Sequence, residues 1–60
     1  METKKITQEE ATKIIEERKP LGLFYLKNGN VYVGIDNSYG DAWTDDFKSL
    51  ASCKRWLGGR

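Results

Sequence analysis

The sequence predicts a small α+β domain, ordered helix–strand–strand–strand–helix, with the three strands in an antiparallel meander. Three observations predict it. A capping box at Thr7-Gln8-Glu9-Glu10 opens a helical stretch. Asn28-Gly29 divides two apolar and aromatic runs. Leu50, Cys53 and Leu57 recur at i, i+3, i+7 near the C-terminus.

The first helix has Thr7 as N-cap and Glu10 at N3, with Ile6 and Ala11 in the staple positions on either side. Glu9 and Glu10 suit the positive end of its dipole. Ala11, Ile14, Ile15 and the stem of Arg18 form a narrow apolar stripe. Lys19 precedes Pro20, and the residue before a proline avoids helical geometry, so the helix is expected to stop there.

Leu21 to Lys27 and Asn30 to Ile35 read as two strands joined at Asn28-Gly29, a pair suited to a type I′ turn because both central residues need positive φ. That turn sets Lys27 opposite Asn30, Leu26 opposite Val31, Tyr25 opposite Tyr32 and Phe24 opposite Val33. Opposed residues share a face. One face then carries Phe24, Leu26, Val31, Val33 and Ile35, a good core surface. The other carries Leu21, Leu23, Tyr25, Tyr32 and Gly34. Asp36 to Asp41 is a turn by composition. Ala42-Trp43-Thr44, extending toward Phe47, is the third strand. Ser49 is the expected N-cap of the last helix, with Asp45 a competing start, and Gly58 fits a left-handed residue that ends it. Residues 1–5 are expected to be disordered and residues 58–60 to form a frayed tail.

Composition narrows the functional classes. Sixty residues make one domain, 1–60. Such a chain buries only about 60% of the surface its unfolded form exposes. Without a staple its stability is expected at roughly 3–5 kcal/mol. One cysteine excludes an intrachain disulfide and argues for a reducing compartment, the cytoplasm. The absence of histidine removes the commonest zinc ligand and general base. A polar start argues against a signal peptide, and the apolar run Leu21 to Leu26 is too short to span a bilayer. The net charge is +1, but residues 21–46 carry −3 and residues 47–60 carry +4. That is a dipolar surface, not a basic one, and it gives no general affinity for nucleic acid.

The run from Gly34 to Leu57 contains Gly-Ile-Asp-Asn-Ser, Gly-Asp-Ala-Trp-Thr, Phe-Lys-Ser-Leu and Trp-Leu. It resembles small uncharacterised proteins of Gram-positive bacteria and their phages. In these a strand ending in an aromatic meets a capped helix ending in Trp-Leu. The resemblance implies no activity, cofactor or catalytic residue.

No motif for chemistry emerges, and no enzyme, cofactor or metal is expected. Cys53 lies on an apolar stripe without a histidine to activate it, so it reads as core. Asp36, Asn37, Ser38 and Asp41 are rich in oxygen, but the glycine falls fifth and the twelfth residue is Phe47, against the calcium-loop pattern. A solvated turn is the expectation there. Asp45 and Asp46 are neighbours that a strand would point to opposite faces. Leu57-Gly58-Gly59-Arg60 is superficially similar to the tail of ubiquitin-like modifiers, but here it follows a helix and ends in arginine.

The candidate partner surface is the second sheet face: Leu23, Tyr25, Lys27 and Tyr32. Aromatics with leucine anchor protein partners, and aromatics on an open sheet stack unpaired bases. The competing reading is that the second helix or Trp43 covers this face as ordinary core. The leading expectation is a non-enzymatic protein-interaction module, an accessory protein of a phage or mobile element. The alternative is a weak binder of single-stranded nucleic acid. An open strand edge offers pairing with a second copy or another chain.

Overall fold

The computed structural model describes residues 2–58. Its elements are β1 (Thr3–Lys5), α1 (Gln8–Glu17), β2 (Gly22–Asn28), β3 (Val31–Asn37), β4 (Trp43–Phe47) and α2 (Leu50–Gly58). The α+β class holds, but the sheet is mixed and four-stranded, in the order β1-β2-β3-β4. The expected meander is β2-β3-β4, and β1 is added outside it, parallel to β2.

β1 corrects the expectation of disorder for residues 3–5, and Met1 lies outside the described residues. Thr3-Lys4-Lys5 has no apolar alternation to announce a strand. Its place comes from Ile6, which is buried, and from α1, which carries the chain back for a parallel return. The Ile6 N–H donates to the Tyr25 carbonyl at 2.9 Å. The capping box forms as expected: Glu10 N–H donates to Thr7 Oγ1 at 3.1 Å and Thr7 N–H to Glu10 Oε1 at 3.0 Å.

α1 ends at Glu17, before the expected stop at Lys19. Arg18 takes the left-handed C-cap conformation (φ 60°, ψ 30°), and its N–H donates to the Ile14 carbonyl at 2.7 Å. A left-handed non-glycine residue costs about 1–2 kcal/mol. The Arg18 side chain offsets this by donating from Nε to the Ile15 carbonyl at 3.0 Å and from Nη1 to the Asp41 carbonyl at 3.0 Å.

The hairpin turns one residue later than expected. Gly29 and Asn30 are the central pair, and Asn28 closes the ladder against Val31. Only Gly29 of the two has positive φ (64°), the pattern of a type II′ turn, which places its glycine first. Tyr25 therefore faces Gly34 and Lys27 faces Tyr32, so the expected Tyr25–Tyr32 pair does not form. Every partner shifts by two residues. A shift of two leaves each side chain on its original face, whereas a shift of one would have inverted them all.

The β2 and β3 side chains therefore keep their expected faces, except that Leu21, expected at the start of the strand, lies outside β2 and is exposed, and each face receives a helix. α1 packs on Phe24, Leu26, Val33 and Ile35 through Ala11 and Ile14, together with Ile6 just before its cap. α2 packs on Leu23, Tyr25 and Tyr32 through Cys53, Trp56 and Leu57, with Phe47 beside them. The sheet thus separates two small cores. Ser49 caps α2, its Oγ accepting from Ser52 N–H at 3.1 Å. Gly58 is the last residue of α2 and is not left-handed. Gly59 and Arg60, the rest of the expected tail, lie outside the described residues.

Candidate functional site

The tyrosine face is built by β2 and β3 and closed by α2. The opening for α2 is Gly34: a Cβ there would lie 3.1 Å from the Trp56 ring and 3.2 Å from Cys53 Sγ. Trp56 fills that space and leans on Phe47, ring centroids 5.4 Å apart and planes at 46°. Leu23 is buried under α2, and Tyr25 and Tyr32 are half-buried. Lys54 Nζ lies 5.5 Å from the Tyr25 ring centroid, and Lys27 Nζ lies 5.8 Å from that of Tyr32. Of the four residues Leu23, Tyr25, Lys27 and Tyr32, only Lys27 is fully exposed. Base stacking needs open ring faces, and here α2 and two lysine side chains occupy them. Trp56, not Trp43, provides the cover.

Cys53 is fully buried, and burial pushes its thiol above the ordinary value of 9.0. A thiol kept neutral is a poor nucleophile. Asp45 faces the α2 side and Asp46 the α1 side, so the two carboxylates diverge. Asp36 and Asn37 are buried at the end of β3, which corrects the expectation of a solvated turn for these two, while Ser38 is half-buried and Asp41 exposed. Among the described residues, no group of three or more His, Cys, Asp or Glu is placed to hold a metal ion. No helix among them is long and apolar enough to cross a membrane.

Of the exposed large apolar side chains, Ile15 lies on α1, while Leu21, Tyr39 and Trp43 belong to the segments at the end of the sheet remote from the hairpin. Asn37 is completely buried there. Its Nδ2 donates to the Pro20 carbonyl at 2.9 Å, and its Oδ1 accepts from Ala42 N–H at 3.1 Å. Asp36 Oδ1 accepts from Ser38 N–H at 3.1 Å and from Ser38 Oγ at 2.6 Å. Arg18 reaches across to the Asp41 carbonyl, as above. These bonds tie the segment after α1 to the β3–β4 loop, and the Leu21 side chain lies against Gly40. The joined loops and the start of β4 present Leu21, Tyr39 and Trp43, which are 61%, 89% and 59% exposed.

Sequence reasoning missed this platform. A turn rich in Asp, Asn, Ser and Gly looks solvated whether or not one of its amides is buried. The signal that was present is the isolated Tyr39 inside that polar loop.

An open groove along α1 is lined by the apolar Ile6, Ile14 and Phe24 and by charges of both signs, Lys4, Lys13 and Lys19 with Glu10 and Glu17. This mixed lining gives no strong selection for ligand charge. No family model, no curated protein and no solved structure matches the chain.

Proposed function

We propose that the chain is a non-enzymatic protein-interaction module that engages its partner through Leu21, Tyr39 and Trp43. One observation carries this reading: Leu21 and Tyr39 stand exposed on loops locked together by Asn37 and Arg18, with the exposed Trp43 at the start of β4 beside them in the chain. Aromatic residues on a rigid support lose little conformational freedom when they bind and dominate binding hot spots. The sealed Cys53 and the diverging Asp45 and Asp46 support a non-enzymatic role. The wider setting, a cytoplasmic accessory protein of a phage or mobile element in a Gram-positive host, rests on the lone cysteine and on the resemblance of residues 34–57. Single-stranded nucleic acid is the poorer reading because its stacking platform is occupied by α2.

The test is differential capture from a Gram-positive lysate. Immobilised wild-type protein is compared with a Tyr39→Ser/Trp43→Ser variant whose circular dichroism matches wild type. The expected result is a host protein retained by wild type and lost from the variant. Identical retained proteins on both would overturn the assignment to this surface, and nothing retained on either would overturn the interaction reading itself.

A further inference from the structure

We propose that the protein extends its own sheet, β4 of one copy taking β1 of the next as a parallel fifth strand. The order β1-β2-β3-β4 leaves β1 and β4 as the two outer edges. Lys4 and Lys5 on β1, and Trp43 to Asp46 on β4, are exposed. The edges carry opposite charge: β1 has Lys4 and Lys5, and β4 has Asp45 and Asp46. Among the described residues none of these four side chains has an ion-pair partner. Edge charges ordinarily keep sheet edges apart. Here that holds only for like edges, since β1 against β1 sets lysine beside lysine and β4 against β4 sets aspartate beside aspartate. The unlike pairing is the one that opposite charges favour.

The backbone offers one register for it. Asn28 and Val31 close the hairpin, so odd residues of β3 bond to β2 and even ones to β4. Trp43, Asp45 and Phe47 then direct their backbone groups inward, and Thr44 and Asp46 direct theirs outward. The outward N–H of Asp46 is already taken by Asp45 Oδ1 at 2.8 Å. Thr44 remains open. On β1, Ile6 N–H bonds to the Tyr25 carbonyl, so residues 4 and 6 face inward and Thr3 and Lys5 outward.

Setting Thr44 opposite Lys4 of the next copy uses these groups. Thr44 N–H donates to the Thr3 carbonyl, Lys5 N–H donates to the Thr44 carbonyl, and the Asp45–Asp46 contact stays intact. In the same register Lys5 falls opposite Asp45 on the α2 face. Lys4 falls diagonal to Asp46 on the α1 face. The contact is head-to-tail, so each added copy presents a fresh β4 edge and growth is open-ended.

Trp43 begins β4 and also belongs to the proposed partner surface, but self-association is read from sedimentation mass and partner engagement from capture, so either reading can fail alone. The experiment is sedimentation velocity across a concentration series in about 20 mM and about 0.5 M salt. It uses wild type, Lys4→Glu/Lys5→Glu, Asp45→Lys/Asp46→Lys and an equimolar mixture of the two variants. Wild type is expected to pass dimer mass as concentration rises at low salt and to return to monomer at high salt. Each charge-reversed variant is expected to stay monomeric alone and the mixture to regain the larger species. Thr44→Pro, which removes the outward N–H without touching the β3 ladder, is expected to be monomeric at every concentration. Wild type that remains monomeric throughout the low-salt series overturns the proposal whether or not the variants fold. So does association that survives charge reversal on one edge.

Discussion

Asn37 is a polar side chain with no exposed surface, and its amide is used at both ends, once as donor and once as acceptor. Truncation to alanine would leave the Pro20 carbonyl and the Ala42 N–H without this partner at a part-buried site. An unsatisfied buried group costs about 1–3 kcal/mol, and partial access to water lowers that cost. Asn37→Ala should therefore lose about 1–3 kcal/mol in urea unfolding. A loss within ~0.5 kcal/mol of zero would show that the two loops hold together without it.

Cys53 makes a second prediction at this scale. Burial raises its folded-state value, so folding favours the neutral thiol. That contribution is complete below the unfolded value and declines as pH rises through the folded one. The stability gap between wild type and Cys53→Ala should be constant at neutral pH and shrink above about pH 9. Urea unfolding of both proteins across that range checks it, and a gap that widens on the alkaline side contradicts the assignment.

Residue-scale features were legible when their partners were near in sequence. The Thr7–Glu10 box and the apolar setting of Cys53 could be read directly. Asn37 and Arg18 could not, because their partners lie 17 and 23 residues away.

At the level of elements, α2 rests on the sheet where β3 carries no side chain. Gly34→Ala would put a methyl group 3.1 Å from the Trp56 ring. Trp56 is bounded by Phe47, so relief requires a shift of the helix. Overpacking of this kind costs about 1–3 kcal/mol. The substitution should lower stability by that much and move the Trp56 indole resonance. An unchanged indole resonance at full stability would mean that α2 is not seated there.

The elements themselves were legible wherever a period or a cap announced them. Alternation sorted the faces correctly despite the wrong turn, because the error in register was even. β1 was hidden because three polar residues carry no period, and its pairing depends on the path of α1.

Across the whole molecule, one sheet divides the interior into an α1 side and an α2 side, and no disulfide links them. The candidate surface shifted for this reason. Knowing that Leu23, Tyr25 and Tyr32 share a face does not reveal whether a helix lies on it. That depends on where the chain goes after Phe47, which is a tertiary fact. The exposed end at Leu21, Tyr39 and Trp43 was equally illegible, since it draws on the segment before β2, the β3–β4 loop and the start of β4, which are far apart in sequence.

The position of β1 also sets the order in which the molecule comes apart. β2, β3 and β4 are joined by short turns, whereas β1 is three residues long and reaches its neighbour only through α1. Long connections and few ladder bonds make such a strand a low-energy opening unit. Native-state hydrogen exchange should find the Ile6 amide opening well before that of Ile35, although both are buried and Ile6 N–H is bonded. Equal protection would show a single cooperative unit instead. The protein would then be a three-stranded platform with a removable first strand, and detaching β1 would uncover the β2 edge while leaving the hairpin whole.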